Sequence, residues 1–542
     1  MISRKIPICE VRFHDTKQVV IGGFVERIRK LKNLTFLIIR DSSGTIQVVL
    51  PRDDEEELPT RESVVLVKGI STRKLDSEDF EVAGKEVQVL SWAKPVPIEL
   101  EVDKESEERF RMRYKYLDLR RQDVKRNLVF SSKAKYLVSS LLNSMKFVEV
   151  STPLLSFPSK EGANTFSTEK NNVAPKGFVL AQSPQLYKQL LMIGGFEAYF
   201  QFATSFRAER LREDRQFEFT QLDIEMSMTT REKLFEIIEE MMCLICKKLL
   251  GKPLAYSTFP KLTYKEAVWK YGSDKPDVRF PCTIFNLFEG LPRQSFWPED
   301  LCLCILYETE RELYLPEIFE YAGKKYSYIR KDPNGEYTGK CEAWMIEYVK
   351  GLEKQSSFYL FYLYSGELQR ESKSLELGKL RTVLAKTDTL RDWDNHNAFV
   401  WIVDWPYFEV SDEGKLQPVH HPFTKPIIPK GLEEANYLSW GSHGYDLVLN
   451  GSEIASGGIR VTDAQLQEKI LRVLGYSDEE IDKSFGWFLE ALSYGVPPHL
   501  GIAIGWERLM KELLSLRSIR EVIAFPKNSH GSCSMSTGKS WA

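Results

Sequence analysis

Residues 205–225 combine an arginine-rich loop with a strand-like run in which polar side chains recur at every second position. In an extended strand Phe219, Gln221, Asp223 and Glu225 share one face, because successive side chains point to opposite sides of the backbone. A half-solvated surface strand gives the same alternation. The preceding loop, however, contains four cationic side chains, those of Arg207, Arg210, Arg212 and Arg215. A loop of this charge between two strands could hold an anionic nucleotide.

A second segment places two acids around a turn. The Asn-Gly pair at 450–451 lies between two apolar-rich runs, which is a hairpin signal and predicts that Asp446 and Glu453 face each other on paired strands. Two carboxylates beside phosphate oxygens would suit Mg²⁺, although ordinary hairpin acids give the same pattern. Small residues at 455–458 followed by Arg460 favour a ligand site, because they let a ligand approach the backbone beside a cation.

A third segment joins an apolar strand to the start of a helix. The strand is bounded by Gly501 and Gly505, and Arg508 follows in the first helical turn. Its guanidinium and the free N–H groups of the helix start therefore point the same way, an arrangement that fits a phosphate. A lone arginine at a helix start is more often an ordinary surface residue.

Five short runs rich in β-branched and apolar residues lie in the first hundred residues, and they predict a small β-barrel of the OB type. The runs are residues 19–21, 35–39, 45–50, 63–67 and 86–90. Residues 98–127 are highly charged and read as a linker running into a helical segment.

A long amphipathic helix is predicted from Phe130 to Met145, because apolar residues recur there at spacings of three and four, and a short strand ending at Pro153 follows. Beyond residue 160 strands and helices mix, which indicates an α+β domain built on an antiparallel sheet. No P-loop or GxGxxG sequence occurs where a strand meets a helix, so ATP would need another architecture. Residues 281–400 interrupt the site-like sequence and are interpreted as an inserted α/β domain without an assignable function.

Composition limits the remaining possibilities. The 542 residues include 74 basic and 77 acidic side chains, a net charge of −3, so any RNA contact must come from local basic surface. The eight cysteines are scattered, which indicates a reducing compartment, and no apolar run predicts a membrane span or a signal peptide. Cys243 and Cys246 have CxxC spacing but lie in a helical apolar stripe without a second pair, so we interpret them as core or surface cysteines rather than zinc ligands.

Several of these segments together resemble the class II aminoacyl-tRNA synthetases. The helix and strand ending at Pro153 resemble motif 1 of that class, the segment around Arg207 and Phe219 resembles motif 2, and the segment from Gly501 to Arg508 resembles motif 3. Four further stretches are similar to the bacterial and organellar aspartyl enzymes, namely residues 182–192, 219–223, 273–277 and 420–424. The resemblance covers the chain except residues 281–400.

This resemblance implies an enzyme that adenylates L-aspartate with ATP and Mg²⁺ and then transfers the aspartyl group to the 3′ end of tRNA(Asp). Whether tRNA(Asn) is also charged stays open. The implied domains are an anticodon-binding OB fold at 1–97, a linker at 98–127, a catalytic domain in two parts at 128–280 and 401–542, and the insertion at 281–400.

Site residues follow from the resemblance, position by position. Arg207 and Arg508 would be the catalytic cations, and Asp446 and Glu453 would hold Mg²⁺. The implied aspartate-binding residues are Glu161, Gln185, Lys188, Arg207, Asp223, His420 and Arg460. The implied ATP-binding residues are Arg207, Glu209, Gln216, Phe219, Glu453, Gly505, Trp506, Glu507 and Arg508. Three sites depart from the family pattern: Ala455-Ser456 stands in a run that is usually glycine-rich, Trp506-Glu507 replaces Leu-Asp, and Phe217 replaces a customary proline.

The barrel would read the anticodon through an aromatic and an amide on one face. Phe36 would stack on an unpaired base and Gln47 would bind a base edge, with Arg27 and Arg29 supplying positive charge. The alternative is that Phe36 belongs to the barrel core.

The resemblance to motif 1 further implies a homodimer. We expect a mitochondrial matrix location, with the bacterial cytoplasm as the alternative. There are two rival functions: a non-catalytic RNA-binding paralogue, which should have lost Arg207 and Arg508, and an enzyme that makes aspartyl adenylate for another acceptor, which should lack the barrel.

Overall fold

The computed structural model describes residues 2–52, 57–74, 78–101, 107–156, 164–170, 177–251, 254, 258–289, 294, 297, 299–309, 311–339, 341, 343–350, 356–387, 396–431, 436–528 and 530–535. The chain divides into two compact units, one of residues 1–123 with 534–542 and one of residues 124–533. No helix among the described residues is both long and apolar enough to cross a membrane.

The first unit contains a closed five-stranded barrel, which confirms the predicted OB-type fold. Its strands are β1 (Gln18–Lys30), β2 (Leu34–Arg40), β3 (Thr45–Pro51), β4 (Val64–Arg73) and β5 (Phe80–Ser91), in the order β1-β2-β3-β5-β4. Alternate residues such as Leu37, Ile39 and Val48 fill the interior and are fully buried. The helices α1 (Glu108–Arg113) and α2 (Lys115–Asp118) follow, so the segment predicted as a linker is partly helical.

The second unit begins with α3 (Gln122–Ser144), which starts about two turns before the predicted Phe130. Val124 in its first turn is buried, but this turn is otherwise polar, which is why the apolar pattern placed the start too late. The elements that follow are β6 (Val148–Glu149), β7 (Leu155–Ser156), β8 (Val179–Leu180), α4 (Gln185–Ile193), β9 (Ala198–Phe206), β10 (Glu218–Ser227), α5 (Arg231–Ile245), β11 (Lys261–Thr263) and α6 (Tyr264–Tyr271). Cys246, just beyond α5, packs in the core of this unit.

The inserted region forms its own sheet and cores. Its elements are β12 (Ile284–Asn286), β13 (Leu301–Glu308), α7 (Leu315–Ala322), β14 (Ser327–Lys331), β15 (Tyr337–Gly339), α8 (Ala343–Lys350), β16 (Phe358–Ser365) and α9 (Arg370–Thr387). The strands pair antiparallel in the order β12-β13-β16-β14-β15. Helix α9 packs against α6 so closely that a Cβ at Gly378 would lie 2.0 Å from the carbonyl oxygen of Gly272.

The chain then returns to the main sheet. Its last elements are β17 (Phe399–Pro406), β18 (Phe408–Val410), β19 (Leu416–Pro418), β20 (Pro426–Ile427), β21 (Gly441–Leu449), β22 (Ser452–Ile459), α10 (Ala464–Val473), α11 (Asp478–Ala491), β23 (His499–Gly505) and α12 (Trp506–Leu513). The main sheet runs β11-β17-β21-β22-β23-β10-β9-β6 and is antiparallel from β17 to β9, as predicted for this domain.

Candidate active site

A cavity of about 1010 Å³ opens on the main sheet. It gathers most of the residues that the sequence singled out, which come from helices α4 and α12, from strands β10, β21, β22 and β23, and from loops next to the sheet. These residues are Gln185, Lys188, Arg207, Glu209, Gln216, Phe219, Asp223, His420, Asp446, Glu453, Arg460, Gly505, Glu507 and Arg508. Glu161 lies outside the described residues.

One end of the cavity holds a buried cluster of alternating charges. The ammonium of Lys188 lies 2.9 Å from Asp223 Oδ1 and 3.3 Å from Glu225 Oε2. Arg460 donates two hydrogen bonds to Glu225, at 2.8 and 3.1 Å. Burial by itself raises the pKa of Glu225, but the charges of Arg460 and Lys188 outweigh burial and lower that pKa to about 2. Two cations and two carboxylates are thus held together away from water.

The surface-strand interpretation of β10 is therefore wrong. Asp223 is 1% exposed and Glu225 is fully buried, while Leu222 and Ile224 on the opposite face are also fully buried. Both faces of the strand are covered, the apolar one by the core and the polar one by the charged cluster. Buried charges require partners, and Lys188 and Arg460 supply them.

Several buried polar atoms in this cluster have no hydrogen-bond partner among the described residues. They include Asp223 Oδ2, Gln185 Nε2 and Arg207 Nε. Leaving such an atom unpaired costs about 1–3 kcal/mol, so these groups suit a polar ligand that would complete their bonds. Asp223 offers an acceptor for an ammonium group, and Gln185 and Arg207 offer donors for a carboxylate.

The neighbouring part of the cavity combines an aromatic ring with two arginines. The Arg207 guanidinium lies 5.2 Å from the centroid of Phe219, and burial lowers its pKa. Arg508, on the first turn of α12, reaches Asp214 with an N–O distance of 3.3 Å. Glu507 accepts a hydrogen bond from the backbone N–H of Thr220 at 3.0 Å. An aromatic ring that shares a cavity with two cations fits a nucleotide base with its phosphates.

Two predicted nucleotide residues make other contacts in this structure. The amide of Gln216 donates to the carbonyl of Lys527 at 3.2 Å and accepts from the Lys527 N–H at 2.8 Å. Trp506 is 1% exposed and packs edge-to-face on Phe202, with its indole N–H donating to Ser131 Oγ at 2.9 Å. Its side chain lies in the core rather than along the cavity, so the family departure at this position leaves the cavity wall unchanged.

The two acids of the β21–β22 hairpin do not face each other as predicted. The Asn-Gly turn places Glu453 opposite Val448, and a bulge between Leu447 and Val448 places Asp446 opposite Ser456. Both side chains still line the cavity. Burial and the nearby charge of Asp446 raise the pKa of Glu453. The predicted strand pairing of Asp446 with Glu453 was therefore wrong, although the two side chains do lie in the same cavity.

These acids fit a hard cation that also binds phosphate. Among the described residues, no group of three or more His, Cys, Asp or Glu side chains is placed to hold a metal. Mg²⁺ commonly takes only one or two carboxylates and completes its shell with water and substrate phosphates. Burial and the charge of Asp446 both raise the pKa of Glu453, and such a cation would stabilise the ionised carboxylates.

Comparison with known proteins identifies the family. The family described as tRNA synthetases class II (D, K and N) matches residues 107–529, and an OB-fold nucleic acid binding domain matches residues 19–90. The chain belongs to the class II tRNA synthetases.

Relatives resemble it over nearly its whole length. An aspartate–tRNA ligase of Malacoplasma penetrans is 36% identical, covering 95% of this chain and 93% of the relative. An aspartate–tRNA(Asp/Asn) ligase of Hydrogenobaculum sp. is 34% identical, covering 95% and 94%. Asparaginyl-tRNA synthetase from Pyrococcus horikoshii, in complex with asparaginyl-adenylate, superposes with a TM-score of 0.63 at 19% identity, covering 96% of this chain and 98% of that one, which shows the shared fold.

Two residues at the buried charged cluster of this synthetase were given no site role in the sequence analysis. Glu225 binds both Lys188 and Arg460, and its position two residues after Asp223 in an alternating strand was the signal that could have identified it. His421 is enclosed by the cluster, and burial lowers its pKa well below the usual value. Its neighbour His420 contacts Asp446 at 2.9 Å; burial opposes protonation of His420, but Asp446 outweighs burial and raises its pKa.

The predicted anticodon residues share the outer face of the synthetase barrel. Arg29 pairs with Phe36 across β1 and β2, and Ile38 pairs with Gln47 across β2 and β3. Phe36 is half-buried and lies outside the barrel core, so the core alternative does not hold. The Gln47 amide donates to Glu81 Oε2 at 2.7 Å, and Arg27 reaches Glu101 at 3.4 Å.

Proposed function

We propose that the protein is an aspartate–tRNA ligase, which adenylates L-aspartate with ATP and then esterifies tRNA(Asp). The charge of the buried cluster carries this proposal. Lys188, Arg460 and Arg207 bring three positive charges against two negative charges on Asp223 and Glu225. This net positive pocket complements aspartate, whose two carboxylates and one ammonium leave one negative charge, better than asparagine, which has none. The names of the relatives support the same substrate.

The first step needs no general base, because the aspartate carboxylate is already ionised at neutral pH. Asp223 Oδ2 would accept from the substrate ammonium, and Gln185 would donate to the substrate. Arg207 would bridge the reacting carboxylate and the α-phosphate, while Arg508 would neutralise the terminal phosphate. Catalysis of this kind rests on positioning and charge neutralisation.

Mg²⁺ would be held by Asp446 and Glu453 together with ATP, and it would supply charge stabilisation for the departing pyrophosphate. The protein's own contribution at this end is electrostatic. His420 holds Asp446 in place, and Arg508 faces the same space from the start of α12. The second step transfers the aspartyl group from the adenylate to the terminal ribose of tRNA.

ATP–pyrophosphate exchange with aspartate, asparagine or lysine tests the substrate. We expect exchange with aspartate alone, because the other two side chains would leave the net positive pocket unneutralised. Charging of tRNA(Asp) and tRNA(Asn) transcripts, measured separately, then defines the acceptor. Equal exchange with asparagine would contradict the charge argument.

We further propose that the outer barrel face around Phe36 binds the anticodon. Replacing Phe36 by alanine should weaken tRNA charging by roughly 1–3 kcal/mol, the usual contribution of one stacked base, and should leave aspartate activation unchanged. The kcat/KM for tRNA measures this effect. Phe13→Ala is a matched control, because Phe13 is an exposed aromatic of the same unit outside the five strands. Loss of pyrophosphate exchange in Phe36→Ala would argue against an anticodon role.

A homodimer is also proposed, formed through α3 and the edge of the main sheet. Exposed apolar side chains support it, namely Val129, Tyr136, Val148, Leu154 and Leu155. Strand β6 lies at the end of the strand order and pairs with β9. Sedimentation at micromolar concentration should show a dimer, and Leu155→Asp should shift it towards monomer. A fully active monomeric wild-type protein is the result that would refute this proposal.

A further inference from the structure

A lysine outside the predicted site projects its ammonium into the metal end of the cavity. Lys275 lies in the turn between α6 and β12, and its Nζ is 3.4 Å from Glu453 Oε2. The same ammonium forms an ion pair with Asp274. Lys275, Asp274 and Glu453 all line the cavity. One cation is thus shared between a carboxylate proposed to bind Mg²⁺ and a carboxylate of its own turn.

Both proposed metal ligands already have a protein side chain beside them, and for Glu453 this side chain is a cation. His420 contacts Asp446 at 2.9 Å, and Lys275 contacts Glu453 at 3.4 Å. A divalent cation on Glu453 and an ammonium at that distance would repel each other strongly in a half-buried site. Binding of a metal–nucleotide therefore requires the ammonium of Lys275 to leave Glu453. The ammonium of Lys275 can keep its ion pair with Asp274 when it leaves Glu453.

The backbone that carries Lys275 is fixed, so a change in position would fall on the side chain. The Lys275 N–H donates to Ser273 Oγ at 3.0 Å. A little further along, Arg381 of α9 donates to the carbonyls of Asp277 and Phe280, each at 2.8 Å. The hairpin turn also packs here, since a Cβ at Gly451 would lie 3.2 Å from the Cβ of Asp277. A lysine stem with four rotatable carbons can nevertheless swing its ammonium between neighbouring anions.

We propose that Lys275 is an exchangeable counter-charge for Glu453: it neutralises this carboxylate when nucleotide is absent and binds phosphate oxygens when the metal–nucleotide arrives. The inference rests on the proposed function for the identity of the phosphates. It assigns Lys275 two states that differ only in side-chain position. Each state keeps the charge near Glu453 balanced, first by the ammonium and then by the metal.

Removing the ammonium tests the first state without any reaction. Mn²⁺ binding to the nucleotide-free protein, measured by calorimetry or electron paramagnetic resonance, should tighten by about three- to tenfold in Lys275→Met and Lys275→Gln, because a competing positive charge is gone. Lys275→Arg should bind Mn²⁺ like the wild type. Lys265→Met is the matched control, since Lys265 lines the same cavity but lies over Trp269 at 4.1 Å. Misfolding of a variant would weaken Mn²⁺ binding, so tighter Mn²⁺ binding could not be the result of misfolding.

The second state is tested by kinetics. In both neutral variants the KM for ATP and the inhibition constant for pyrophosphate should rise by about tenfold, the cost of one lost charge-assisted contact, while the KM for aspartate should stay within twofold. Mn²⁺ binding that is equal or weaker in both neutral variants, or undetectable in every protein, would overturn the proposal. If the wild type shows no aspartate-dependent exchange, the proposed function fails, whereas the Mn²⁺ titration still decides the role of Lys275.

Discussion

Replacing Arg207 or Arg508 by alanine is expected to abolish adenylate formation while leaving the fold intact. Arg207 lies over Phe219 and its Nε has no hydrogen-bond partner among the described residues, while Arg508 lies on the first turn of α12; in the proposed function each would present a cation to the phosphates of ATP. Loss of one such donor costs on the order of 3 kcal/mol or more, which reduces the rate by at least about a hundredfold. Aspartate-dependent ATP–pyrophosphate exchange measures this loss directly.

The arginine-rich loop provides a control for this pair. Arg210 is exposed and does not line the cavity, so Arg210→Ala should retain exchange activity. Circular dichroism and the melting temperature should be close to wild type in all three variants. Exchange near the wild-type rate in Arg207→Ala or Arg508→Ala would refute the assignment of the nucleotide site to this end of the cavity.

Replacing Glu225 by glutamine should be the most damaging change in the buried charged cluster, where we propose that aspartate binds. The variant leaves Arg460 and Lys188 buried without their shared carboxylate, and breaking a buried pair costs about 3–5 kcal/mol. Aspartate binding should weaken as well, because an amide can accept only one of the two hydrogen bonds that orient the Arg460 guanidinium. Chemical denaturation and the KM for aspartate report the two effects separately.

The effect of Glu225→Gln on stability should also depend on pH. Burial raises the pKa of Glu225, but Arg460 and Lys188 lower it from 4.5 to about 2. A carboxyl whose pKa is depressed in the folded state contributes stability above its unfolded value and loses it as the pH falls towards the folded value. The difference between wild type and variant should therefore shrink between pH 4.5 and pH 2.

An exposed acid on α5 serves as the control for Glu225. Glu236 pairs with Lys233 at the surface, and Glu236→Gln should change the free energy of unfolding by no more than about 0.5 kcal/mol. If Glu225→Gln were equally mild, the buried cluster would not depend on this carboxylate. Its assignment as the common partner of Lys188 and Arg460 would then be wrong.

Local patterns predicted the elements of the fold well, because the side-chain period and the turn residues depend only on residues that are close together in the sequence. The alternation in β10 and the Asn-Gly turn before β22 both appear where the sequence placed them. Burial of the polar face of β10 could not be predicted, since a surface strand has the same alternation. The bulge after Leu447, which moved Asp446 opposite Ser456, likewise depends on how β21 fits between two other strands.

Long-range contacts explain most of what the sequence missed in the site. The alternation of β10 marked Glu225 as a polar-face residue, but its partners Lys188 and Arg460 come from distant parts of the chain. Trp506 follows Gly505 in sequence but turns into the core, because Phe202 and Ser131 receive its ring and its indole N–H. Lys275 reached the cavity through a turn that no periodic pattern describes. Each of these positions is determined by packing partners that are far away along the chain.

The hydrogen bonds of Arg381 tie the inserted domain to the catalytic domain. This buried side chain on α9 serves backbone carbonyls of Asp277, Phe280 and Cys282, all of which precede the first strand of the insert. The close approach of Gly272 and Gly378 leaves no room for α9 to be exchanged for a bulkier segment. Part of the backbone of the catalytic domain is thus held in place by a side chain of the insert. The parts of the insert that lie far from α9 could be redesigned. Excision of the whole insert would remove Arg381 and leave the carbonyls of Asp277 and Phe280 without this donor.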